Sequence, residues 1–176
     1  MESISGTAPI VNKVAASGIQ VLDLAELAPS DIGLIDLEQF LFGGLILKEK
    51  HFRQEVREHD WEAYRDQHVG LICSVDTIVP VWAYMLISST LEGIAASVTV
   101  GDEAAVRREA FLRAFDHYDW NRHQDRIVVV KGCGTSNVPE SAFVQCMNHL
   151  QRVASKVMYG EPCSSVPLWR RPKDRA

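Results

Sequence analysis

Hydrophobic positions change period along the chain, and the changes mark its elements. Ile19 to Leu24 is short, apolar and β-branched at its start, which predicts a strand closed by Ala28-Pro29-Ser30. Ile32 to Ile35 predicts a second strand. Asp36 then stands as a helix N-cap, with Gln39 three residues on. Leu37, Phe40, Leu41, Leu45, Phe52 and Val56 follow at helical spacing, interrupted by Gly43-Gly44, which splits the segment. Val69 to Val75 is nearly continuous in apolar residues, as in a strand buried on both faces. Pro80 opens a helix that runs to Ala96, apolar all round at its start and so expected to pack deeply.

A short strand at Val98 to Val100 comes next, then a turn and cap at Gly101-Asp102. Val106, Ala110, Phe111, Ala114 and Phe115 mark one helical face. Ile127 to Val130 is the clearest buried strand. Pro139 opens a last long helix, whose stripe runs from Ala142 and Phe143 through Cys146, Met147 and Leu150 to Val153, Ala154 and Val157. Ser164 to Leu168 is an extended tail that pairs with the sheet. From Val69 on, strand and helix alternate. This predicts an α/β fold in three layers, a mostly parallel sheet with helices on both faces. No long repeat, low-complexity tract or dividing linker is evident, so residues 1–176 are expected to form a single domain with flexible ends near 1–10 and 170–176.

Composition narrows the function classes. At 47% apolar and 23% charged residues the chain is globular, and a net charge of −5 speaks against non-specific nucleic-acid binding. The basic cluster of Arg170, Arg171, Lys173 and Arg175 is most simply a solvated tail. No signal-peptide pattern opens the chain. The longest apolar stretch, Ile78 to Ile87, contains Pro80 and is too short to cross a bilayer. A cytoplasmic protein without a membrane partner is expected, and there four cysteines are thiols or ligands rather than disulfides.

In open parallel sheets ligands bind beyond the carboxyl ends of the strands. Cys73 lies at the end of its strand with Asp76 in the same loop, and Cys133 lies just past Ile127 to Val130. If these strands are parallel neighbours, both thiols share one end of the sheet. Lys131 and the helix starts at Pro80 and Pro139 would favour thiolates. Cys163 is the third candidate. Each of the three precedes a Val-Pro pair: Val79-Pro80, Val138-Pro139 and Val166-Pro167. Since Cys163 follows the last helix directly, simple topology puts it at the opposite end, reachable only by a displaced helix or a second subunit. Cys146, on an apolar stripe, is expected to be a core thiol; Cys73 and Cys133 stand between inert burial and a functional role.

Zinc or iron held by Cys73, Asp76, Cys133 and Cys163 is chemically reasonable, although no CxxC or HExxH motif is present. The six histidines, His51, His59, His68, His117, His123 and His149, are scattered and expected at the surface. Gly132-x-Gly134 lacks the rest of a dinucleotide fingerprint, and no P-loop or nucleophile elbow occurs.

Several segments are distinctive together: Gly44-Leu-Ile-Leu-Lys-Glu-Lys50 with Phe52-Arg53, Cys73-Ser-Val-Asp76 with Ile78-Val-Pro80 and Trp82-Ala-Tyr-Met85, Lys131-Gly-Cys133 with Val138-Pro139, and Met158-Tyr-Gly-Glu-Pro-Cys163-Ser with Val166-Pro167. On these the chain resembles a bacterial family of uncharacterised proteins, domain of unknown function 2480, from about Val11 to Trp169. The resemblance implies no established activity. It implies an accessory place beside iron–sulfur assembly proteins, and Cys146 is outside its motifs. Three expectations follow: a metal- or sulfur-handling protein, a metal- or thiol-dependent enzyme, or a non-catalytic binding or scaffold protein. A homodimer suits a Cys163 shared between subunits.

Overall fold

A computed structural model describes residues 18–132 and 137–172. The described strands are β1 (Ile19–Asp23), β2 (Ile32–Asp36), β3 (His68–Ile72), β4 (Ser97–Val100), β5 (Ile127–Lys131), β6 (Lys156–Tyr159) and β7 (Val166–Arg170). The described α-helices are α1 (Glu49–Glu58), α2 (Val81–Thr90), α3 (Glu103–His117) and α4 (Glu140–Val153). The fold is mixed α/β and mostly parallel, but the strands divide between two sheets where the alternation predicts one. One sheet has the order β1-β5-β6-β7 and the other β2-β3-β4. All pairs are parallel except β6–β7.

The described residues gather into two compact units. One is drawn from residues 18–23, 119–132 and 146–172, the other from 24–118 and 137–145. In the second unit Val69 and Leu71 join a core with Phe40, Phe52, Trp61 and Ile87. Gly70, between them on β3, faces Val106 of α3. The Trp61 indole closes this core, donating from Nε1 to the Val56 carbonyl at 2.7 Å and stacking on Phe40 at 5.8 Å. In the first unit Leu22, Val128, Val129, Cys146, Leu150 and Val157 are buried.

The two units share one plan, which the sequence hides. β5 and β6 begin 59 residues after β3 and β4, and α4 begins 59 residues after α2. β2 follows β1 by 13 residues, and the pairs β1–β5 and β2–β3 have the same register. Short 3-10 turns start at Trp61 and Trp120, each capped by an aspartate, Asp60 or Asp119. Asp66 and Asp125 both take a left-handed backbone, at φ 61° and 57°. Their N–H groups donate to the carbonyls of Ile94 at 2.9 Å and Val153 at 2.8 Å. Gly101 donates to Leu71 at 2.9 Å and Gly160 to Val130 at 3.0 Å, both from a positive φ that favours glycine. Ala83 and Ala142, Ile87 and Cys146, and Leu91 and Leu150 are buried in pairs at this spacing. An internal repeat is therefore present although none was expected. Few side chains are shared, because each position asks only for an apolar residue of suitable volume.

Several boundaries differ from the pattern. The segment from Leu37 forms only a 3-10 turn, Leu37–Phe40, before Gly43 and Gly44, both at positive φ. The helix predicted to reach Ala96 ends at Thr90, and its outer side stays open: Val81 and Met85 are exposed. The last helix ends at Val153, and Val157 belongs to β6. The predicted tail strand does pair, antiparallel to β6. His123 is buried rather than at the surface, with Nδ1 2.6 Å from Gln20 Oε1. Burial first, then Arg122, holds its pKa below the usual histidine value, against a smaller opposing effect of Asp119. Among the described residues no helix is long and apolar enough to cross a membrane.

Candidate functional site

β2 and β3 run side by side, so Asp36 ends level with Ile72 and Cys73 is the next residue. The Asp36 carboxylate accepts from the backbone N–H of Glu38 at 3.0 Å and of Ser74 at 3.1 Å. Burial pulls its pKa up. Hydrogen bonds from Ser74 and from the Glu38 N–H outweigh burial and leave it below the usual carboxylate value. Ser74 Oγ donates to Glu38 Oε2 at 3.0 Å. This network clamps the loop that carries Cys73. The Cys73 thiol is half-buried and points at the Val75 carbonyl at 3.5 Å.

Cys73 opens into a cleft of about 640 Å³ at the carboxyl ends of β3 and β4, where Asp76, Thr77, Tyr84 and Gly101 are further lining residues. The volume suits a small ligand. Burial, then the charge at Cys73, pushes the Tyr84 phenol up, so it remains a hydrogen-bond donor at neutral pH. Thr77 Oγ1 donates to the Leu45 carbonyl at 2.8 Å and ties the cleft's outer loop down. A thiol, a carboxylate and a phenol thus face one opening.

In the first unit β5 ends at Lys131, whose ammonium lies 2.8 Å from the Asp23 carboxylate. Lys131 is thus engaged by an acid and is no unopposed charge for a thiol. Cys133 itself lies outside the described residues. β6 runs parallel to β5 with Val130 level with Tyr159. The chain leaving β6 turns at Gly160 and carries Cys163, exposed, before β7. This corrects the predicted placement of Cys163 at the opposite end. β6 lies between the last helix and Cys163, and a parallel strand returns the chain to the carboxyl end. The premise that β3 and β5 are neighbours also fails. β5 lies between β1 and β6, and β3 between β2 and β4. Cys163 therefore lies at the carboxyl end of the β1-β5-β6-β7 sheet, while Cys73 and Asp76 belong to the other sheet.

Cys146 occupies the core position matching Ile87, and burial pushes its thiol up to about 12. Among the described residues no group of three or more histidine, cysteine, aspartate or glutamate side chains is placed to hold a metal ion. Sequence reasoning missed Asp36 as the clamp on Ser74, and Tyr84 in the cleft. The signal for the first was present in the twin runs Ile19 to Leu24 and Ile32 to Leu37, each ending strand-Asp-Leu.

A family model described as "Protein of unknown function (DUF2480)" matches residues 8–171. The chain belongs to this family. No curated protein and no solved structure matches it. The DUF2480 match takes in all four cysteines and Asp76. In this DUF2480 protein, thiol reactivity should follow exposure and thiolate character. Under native conditions at neutral pH, iodoacetamide is expected to modify Cys163 first and Cys73 more slowly. Cys146 should be labelled only after unfolding, as peptide mass analysis over time would show. Early labelling of Cys146 would contradict its placement.

Proposed function

We propose that this protein handles a soft metal ion, zinc or iron, or sulfur, through cysteines at the carboxyl ends of its parallel strands. Cys73, Asp76, Cys133 and Cys163 are the donors we assign to this work. The observation that carries the reading is the segregation of the described thiols. Cys73 and Cys163 follow the carboxyl ends of β3 and β6 and reach solvent, while Cys146 is packed away in the core. Thiolates suit zinc and iron–sulfur chemistry, and an accessible strand end is where an open sheet presents ligands. The family resemblance adds an accessory role beside iron–sulfur assembly proteins, in the reducing cytoplasm where such thiols persist.

The three-layer arrangement belongs to the same proposal. Val69, Gly70 and Leu71 on β3, and Val128 to Val130 on β5, are buried in unbroken runs. Strands covered on one face alone would alternate.

The test is elemental analysis of protein purified without oxygen, read with its absorption spectrum. Zinc or iron is expected near one equivalent per site, reduced in Cys133→Ser and in Cys163→Ser. Metal-free protein with freely alkylated Cys73 and Cys163 would remove the metal reading. One observation favours a second reading, a thiol-dependent enzyme: the cleft beside Cys73 has ligand size and brings Asp76 and Tyr84 to the same opening.

A further inference from the structure

The internal repeat shows what one sheet lacks. β6 is not an edge, because β7 runs antiparallel along it and Val157, paired with Trp169, is fully buried. β4 is the strand that stands 59 residues before β6, and among the described residues it pairs with β3 alone. Its sequence, Ser97-Val-Thr-Val100, carries no charge and no proline, and its pairing with β3 shows no bulge. Charge, proline and bulges are among the devices by which natural edges avoid pairing. Beside the edge lies a groove of about 600 Å³, lined by Val81, Tyr84, Met85, Val98 and Val100 among others. Val81 is 73% exposed, Met85 66% and Val100 62%. The apolar start of α2, expected to be deep in a core, thus faces outward next to an open strand.

We propose that a second copy of this chain covers the edge, its β4 pairing antiparallel with the first across a two-fold axis. Such an axis necessarily pairs identical strands antiparallel, the polarity that β7 takes on β6. The surface also fits itself in charge. Among the described residues Glu92 is the only charged one lining the groove; it lies two residues past the end of α2, beyond the stripe of Val81, Met85 and Ser88. At the other end of that stripe α2 starts after Pro80, which has no side-chain capping bond. The two-fold turns each Glu92 toward the uncapped start of the other copy's α2, where the helix dipole favours a carboxylate. No like charges meet, and the two apolar stretches cover one another.

The experiment is light scattering after size-exclusion chromatography on the full chain over a range of micromolar concentrations. Hydrogen exchange is read in the same samples at the amides of Val98 and Val100, which alternate away from β3. Wild-type protein is expected at twice the 19.7 kDa chain mass, with β4 amides protected in the dimer. Met85→Lys and Val100→Lys each add a charge at an exposed site. They are expected to weaken the dimer by more than about 100-fold and to expose those amides, while circular dichroism stays unchanged. Val144→Lys is the control: Val144 is the repeat counterpart of Met85 and similarly exposed, and its variant should remain dimeric. A wild-type monomer at all concentrations overturns the proposal, as does a dimer indifferent to both variants. Concentration-independent protection of the Val98 and Val100 amides in a monomer would also overturn it, since the edge would then be covered from within the chain.

Discussion

Gly70→Val should destabilise the protein by about 3 kcal/mol or more, and Gly70→Ala by about 1–3 kcal/mol, the range for forcing atoms into a filled core. Both are read as a fall in the urea midpoint. A Cβ at Gly70 would lie 2.7 Å from the Gly101 carbonyl oxygen, 2.7 Å from Leu34 Cδ2 and 2.8 Å from Val106 Cγ2. The two methyl groups can shift by rotamer changes. The carbonyl oxygen is a backbone atom and moves only if the turn at Gly101 shifts with it. The repeat sharpens the case: 59 residues later the same strand position is Val129, fully buried and accommodated. The plan of the strand therefore permits valine, and the packing around β3 forbids it. A Gly70→Ala protein within about 0.5 kcal/mol of wild type would mean that this packing gives way.

The second large effect is expected at Trp61. Trp61→Ala should cost about 3–5 kcal/mol, as for other buried aromatic truncations. The residue is buried against Phe40 and bonded to the Val56 carbonyl. Trp61→Phe keeps most of the ring and loses the hydrogen bond, so it should recover part of that loss and leave a deficit of about 1–2 kcal/mol. The repeat counterpart, Trp120, is only half-buried and stacks on His149 at 4.5 Å. Trp120→Ala should cost clearly less than Trp61→Ala. Equal losses at the two tryptophans, measured by denaturant unfolding of each variant, would contradict the difference in burial.

These two predictions show what the repeat does and does not preserve. It keeps backbone devices: the aspartate caps, the left-handed aspartates at 66 and 125, and the glycines at 101 and 160. It lets side chains diverge where volume alone matters, as at Ile87 and Cys146. The same divergence separates the two strand ends. One has a clamped loop with Asp36 on Ser74, the other an ion pair between Asp23 and Lys131.

Local sequence determined much of this protein. It marked the strand Ile127 to Val130, the strand from Val69 (run on to Val75, where β3 ends at Ile72), the helix starts near Pro80 and Pro139, the aspartate cap at Asp102, and Cys146 as a core thiol. Each is a matter of neighbours within a few residues, where periodicity and turn chemistry act directly. Val157 went the other way: at the end of a helical stripe it looked helical, yet a strand beside β5 and β7 satisfies its backbone in the sheet. The tertiary structure alone decided which strands meet. β1 and β2 carry nearly the same pattern, Ile-x-x-x-Asp-Leu, so nothing local tells β5 to pair with β1, or β3 with β2. That choice rests on packing between residues far apart in the chain, from Ile32 to His68 and from Ile19 to Ile127. It also places Cys73 in one sheet, brings Cys163 to the carboxyl end of the other, and leaves β4 paired on one side alone among the described residues.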